Sequence, residues 1–166
     1  MTKRICAAFV IMLFLGASAS GAIPPSAWNS AGVGILMERT AVRGALGAPS
    51  GTDGTLEWYD ITGSEGLSRV SLDYLDTGRV QAVSLAFVPG SIDLDTLCSI
   101  VKKAFPDTQD VHRDERLAIF LGRSTENNEP VYLLAMADDP DGGKGSELIT
   151  MTELANLHYQ EQKAPQ

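Results

Sequence analysis

Cys98 and His112 are a pair whose types fit a nucleophile and its general base. Such a pair works only when the imidazole lies within hydrogen-bond reach of the thiol and can take its proton. Cys98, however, falls on the apolar stripe of a predicted helix, where a thiol packs as a small inert group. His112-Arg113-Asp114 has the order of a kinase catalytic loop, but no glycine-rich nucleotide loop, paired lysine or Asp-Phe-Gly accompanies it. No Gly-x-Ser-x-Gly elbow occurs, and two histidines with Cys98, the one cysteine outside the N-terminal apolar run that holds Cys6, do not close a zinc site. His158 stands in the C-terminal tail, where solvent is its expected partner. The expectation is a protein without catalytic residues and without a cofactor.

Two glycine-rich stretches and one acidic loop could hold ions. In Ala137-Asp138-Asp139-Pro140-Asp141-Gly142-Gly143, the spacing of Asp139, Asp141 and Gly142 matches part of a calcium loop. Ala137 and Leu148 stand where its first Asp and terminal bidentate Glu belong, so a hairpin loop is the simpler reading and no metal site is expected. Gly143-Lys144-Gly145-Ser146 lacks the Lys-Ser adjacency of a phosphate loop and precedes a strand. The glycines of Leu46-Gly47-Ala48-Pro49 and Ser50-Gly51-Thr52-Asp53-Gly54 come after a helix, facing its negative end, where an anion is disfavoured.

Compartment and charge narrow the choice further. Lys3 and Arg4 precede an apolar run, and small residues ending in Ser20-Gly21-Ala22 follow it, the three parts of a secretory signal peptide. Residues 1–22 are therefore expected to be removed near Ala22, leaving an exported protein, periplasmic or secreted. The apolar run is shorter than the roughly 20 residues a membrane helix needs, so no stable membrane anchor is expected. Loss of Lys3 and Arg4 takes the formal net charge from −8 to −10. That sign repels phosphate backbones and anionic lipid, which argues against a nucleic-acid partner and favours a cationic one.

The elements that would carry any site follow from periodicity. Met37, Ala41, Val42, Ala45 and Leu46 recur at helical spacing, with Glu38, Arg39 and Arg43 on the other side. Gly47 and Pro49 stop that helix. After a polar turn at 50–54, strands are predicted over 56–61, around Val70, Leu72 and Tyr74, and over 80–88, whose two faces are both largely apolar. Asp93 caps a second helix with the stripe Leu94, Leu97, Cys98, Val101 and Phe105, and Pro106 ends it. Three more strands are predicted over 117–121, 131–137 and 147–152. The sequence thus predicts an α+β fold of two helix-plus-three-stranded antiparallel meander units, 23–90 and 91–155, packed as one globule, with a flexible tail over 156–166.

Leu46-Gly47-x-Pro49, Trp58-Tyr59 and Val70-Ser71-Leu72-Asp73-Tyr74-Leu75-Asp76-Thr77-Gly78-Arg79-Val80 together resemble the SmpA/OmlA (BamE-like) envelope family. The resemblance implies, for the first half, a pair of helices on a three-stranded antiparallel sheet. The tandem arrangement of the beta-lactamase inhibitor proteins would extend it to the second half. It also implies protein binding, with a part in outer-membrane assembly or maintenance. The chain departs from the family's lipoproteins in lacking a cysteine at the processing site and in carrying the extra half.

Taken together, these features give the expectation of a non-catalytic envelope protein that holds a protein partner through a sheet face or edge, with Trp58, Tyr59 and Tyr74 as candidate anchors, since aromatics often dominate interfaces. An inhibitor or immunity-type protein capping a secreted enzyme is the first alternative, its acidic surface matching a basic cleft. A small enzyme or ligand carrier with a site built around His112 is the second.

Overall fold

The structure, a computed structural model, describes residues 33–62, 66–123, 128–139 and 141–157. The predicted signal peptide, His158 and the tail beyond 157 lie outside the described residues. In chain order the elements are α1 (Arg39–Leu46), β1 (Gly51–Asp53), β2 (Leu56–Asp60), β3 (Leu67–Tyr74), β4 (Val80–Phe87), α2 (Leu94–Ala104), β5 (Gln109–Arg113), β6 (Leu117–Arg123), β7 (Pro130–Met136) and β8 (Glu147–Thr152). A short helical turn at 153–157 follows β8.

All eight strands of the described residues join one antiparallel sheet in the order β1-β2-β3-β4-β8-β7-β6-β5. This corrects the expectation of two helix-plus-three-stranded units. α1 and α2 are each followed by four strands, and β4 pairs with β8 from Ala82↔Met151 to Ala86↔Glu147, so the sheet runs unbroken across the expected boundary. The missing strands, β1 and β5, are the two edges. β1 is Gly-Thr-Asp, and every residue of β5 is exposed, so neither buries the alternate side chains that make a strand visible in sequence.

α1 and α2 lie on one face of the sheet, and the main core sits between. Leu72, Tyr74, Val131, Leu133 and Phe120 reach it from the strands, and Leu97, Cys98 and Val101 from α2. The start of α2 is fixed by Asp93, whose side chain accepts from the Thr96 N–H at 2.7 Å. Asp95 in its first turn and Lys102 and Lys103 in its last complement the helix dipole. At 25 cal/mol per Å² of apolar area, a stripe of this kind contributes about 1.5–3 kcal/mol for each large side chain fully buried.

α1 is held differently. Of its expected stripe only Val42 is fully buried, with Met37 and Leu46 half-buried and Ala41 and Ala45 exposed. The chain before it is tied to the start of β4 by Leu36 N–H to Val80 O (2.7 Å) and Val80 N–H to Met37 O (2.9 Å). Gly47 closes the helix at φ 84°, donating to Arg43 O at 2.9 Å. The glycine-proline joint is thus a terminator in the structure as well.

Candidate protein-binding face

Facing residues of an antiparallel ladder share one side of the sheet. The register therefore defines the surface opposite the helices as rows of side chains. One row runs Trp58, Ser71, Ser84, Ile149, Leu134, Ile119, His112, and the next runs Leu56, Asp73, Ala82, Met151, Tyr132, Leu121, Gln109. The β6–β8 part of this face is apolar. Leu134, Met151 and Ala155 form a small buried cluster against which Leu117, Ile119, Tyr132 and Ile149 pack half-buried. Ala155, from the turn at 153–157, covers part of it, while Leu154 and Leu157 of the same turn are exposed. The expected two-sided strand is real but asymmetric, since β4 turns Val83, Leu85 and Phe87 to the core and only Ala82, Ser84 and Ala86 to this second face.

Trp58 stands half-buried on the open face, seated over Gly51 on β1. A Cβ at Gly51 would lie 2.0 Å from the indole, so glycine is what lets the ring lie flat on the strand. The Arg69 guanidinium sits 5.8 Å from the ring centroid and 2.8 Å from Asp60. Tyr59 and Tyr74 are not beside it. Both point to the helix side, 4% and 0% exposed, with their hydroxyls donating to Glu57 at 3.0 and 3.3 Å. Their rings are core, because residues 57 and 59 share the face opposite Trp58 and an acceptor waits there for both hydroxyls.

Glu57 is the charged residue that sequence reasoning missed. It is 1% exposed and is met by the Arg43 guanidinium and, at 3.4 Å, by Arg39 Nε. Arg39 also lies 4.3 Å over the Tyr74 ring. Burial pushes the Glu57 carboxyl up, but bonds from Arg43 and Tyr59 and the charges of Arg43 and Arg39 outweigh it, leaving the group below its ordinary range. Burial, and then the Glu57 charge, push the Tyr74 hydroxyl up. Arg39 and Arg43, expected on the solvent side of α1, thus reach across to the sheet. Their spacing held the signal: like charges four apart on a helix repel unless an acid lies between them.

The residues that first suggested chemistry are kept apart. Cys98 packs on the helix side, its thiol pushed up by burial, whereas His112 shares the row of Ile119 on the other face and pairs with Asp114 at 3.0 Å. A thiolate–imidazole pair cannot form through the sheet. In the acidic loop, Asp138 accepts from the Gly90 N–H and contacts the Ser146 hydroxyl, while Asp139 pairs with Arg116 at 3.0 Å. These carboxylates tie β-hairpin to crossover rather than facing a common centre. Among the described residues no group of three or more His, Cys, Asp or Glu could hold a metal ion, and no helix is long and apolar enough to cross a membrane.

Compared with protein-family models, curated proteins and solved structures, the chain matches none of them.

Proposed function

We propose that this protein is a non-catalytic, exported binding protein that holds another protein against the open face of its sheet. The observation that carries this reading is the half-exposed apolar surface of Leu117, Ile119, Tyr132 and Ile149, over which the described chain lays only the turn at 153–157. A sheet face is stable in water when polar, and apolar side chains gathered there are the common mark of a partner surface. Trp58, half-buried at the margin, supplies a rigid aromatic anchor. Export is inferred from the N-terminal charge, apolar run and small residues. A place in outer-membrane assembly or maintenance rests on the resemblance of the Gly34 to Val88 region to the envelope family.

The inhibitor or immunity-type reading gains support from the β1–β4 side of the face. By register Asp53, Asp60 and Asp73 lie there, with Glu147 of β8 beside Ala86, and among the described strand residues of that side Arg69 is the one base facing them. An acidic surface of this kind speeds association with a basic cleft at low salt. Co-purification from the envelope tests the common claim. Ile119→Asp and Trp58→Ala are expected to remove the captured protein while a cooperative melt is kept. Lys103→Glu on the exposed side of α2 is expected to leave capture intact. Equal capture by all three variants would remove the open face as the binding surface.

A further inference from the structure

Between β2–β4, β8 and the turn at 153–157, the open face holds a groove of about 510 Å³. Its apolar floor includes Ala82, Ile149 and Met151, and Asp73, Asp76 and Gln81 line its polar end. Gln81 is placed there by a bulge: Tyr74 pairs with Val80 and Asp73 with Ala82, so Gln81 has no residue opposite it on β3. It is 8% exposed. Its Nε2 donates to Asp73 Oδ2 at 2.8 Å, while its Oε1 is buried without a hydrogen-bond partner among the described residues. The other Asp73 oxygen accepts from the Thr55 hydroxyl at 2.7 Å. Among the described residues neither Asp73 nor Asp76 has an ion-pair partner within 4.0 Å.

The groove therefore lacks two things: a donor for a buried amide oxygen and a positive charge beside two carboxylates. An anion has the wrong sign. A calcium ion needs six or more oxygens, and no cluster of three acids is present among the described residues. A neutral donor would satisfy Gln81 and leave the carboxylates uncompensated. We propose that the groove seats a basic side chain of the protein partner, its guanidinium or ammonium donating to Gln81 Oε1 and the Asp73 carboxylate while its methylene stem lies on Ala82, Ile149 and Met151. The assignment rests on the open face being the partner surface, and it names the chemistry that face selects.

The test needs no partner. Nα-acetyl-arginine methylamide and its neutral citrulline counterpart are titrated into the isotopically labelled protein at low salt, and the Gln81 side-chain amide is followed by NMR. The arginine probe is expected to shift Gln81, Ala82, Ile149 and Met151 together, with the citrulline probe weaker by roughly tenfold or more, the loss of one charge-assisted bond. Asp73→Asn is expected to weaken the arginine probe by a similar factor. Since that variant also touches the bulge, Asp76→Asn serves as the second, with a loss of about threefold for an exposed charge. Equal shifts with citrulline, or shifts away from the groove, would overturn the assignment. So would movement of the Gln81 signal by Lys163→Gln without probe, which would make the cation the chain's own. A silent Gln81 while Ile119→Asp still blocks capture would overturn the groove alone and leave the open face standing.

Discussion

Replacing Glu57 by glutamine keeps the side-chain volume and removes the charge, so it isolates what the buried carboxylate contributes. Bonds to a charged group are worth about 1.5–3 kcal/mol each. Tyr59 and Tyr74 have no water to turn to, being 4% and 0% exposed. The side chains of Arg39 and Arg43 are 35% and 47% exposed and can re-solvate, so their share falls toward the roughly 0–1 kcal/mol of a surface pair. The glutamine oxygen, in the place of Oε2, keeps both tyrosines only as neutral bonds, and its amide group, in the place of Oε1, meets the arginines with the wrong polarity. The expected loss is about 2–4 kcal/mol, or roughly 6–15 °C in Tm for a domain of this size. Thermal melts followed by circular dichroism at neutral pH read this directly.

Acid supplies an independent check. Glu57 has a folded pKa below its ordinary value of about 4.5, so its stabilisation is complete above that value and is lost as pH falls through the folded pKa. The gap in Tm between wild type and Glu57→Gln should therefore narrow below about pH 4.5. A shift under about 2 °C at neutral pH, against the range expected for a buried charge-assisted network, would refute the view that α1 is held by charge rather than by its apolar stripe. A gap that stays constant into acid would refute it as well.

Three further outcomes follow from local geometry. Gly51→Ala puts a methyl 2.0 Å from the Trp58 ring and should displace the indole, seen as a red-shifted Trp58 emission in a Trp28→Phe background, at a cost of about 1–3 kcal/mol; an unchanged spectrum would contradict the stacking. Ser146 is fully buried between the Ile92 carbonyl, 2.7 Å away, and Asp138. Ser146→Ala should cost about 1–3 kcal/mol in urea unfolding, whereas an unmoved midpoint would mean this tie does not hold the crossover to the β7–β8 hairpin. Cys98, buried and with its thiol pushed up, should stay unreactive to a disulfide reagent at mildly alkaline pH until urea unfolds the chain; rapid native labelling would show the α2 side to be open.

The elements legible in the sequence were those with a buried side. α2 announced itself through the Asp93 cap and the stripe of Leu94, Leu97, Cys98 and Val101, all buried in the structure. β3, β4, β7 and β8 were visible as apolar or alternating runs. β1 and β5 carry no buried side chain, and an edge strand that faces water on both sides has no period to detect. β2 misled in a different way. Its interior positions are Glu57 and Tyr59 while Leu56 and Trp58 face outward, so the usual inside-apolar rule inverts and the paired Arg39 and Arg43 look like a solvated helix face. The groove was equally hidden. Gln81 enters it only through a one-residue bulge, and a bulge is a property of strand pairing that no local pattern reports.

Placement of the proposed partner is what everything functional depends on. A photo-activated benzoylphenylalanine at position 119, on the open face, and another at Ser99, on the exposed side of α2, test it in living cells. A covalent adduct with a second protein from position 119 and none from position 99 is the predicted result. Adducts from 99 alone, or from neither position, would contradict a partner seated on the sheet.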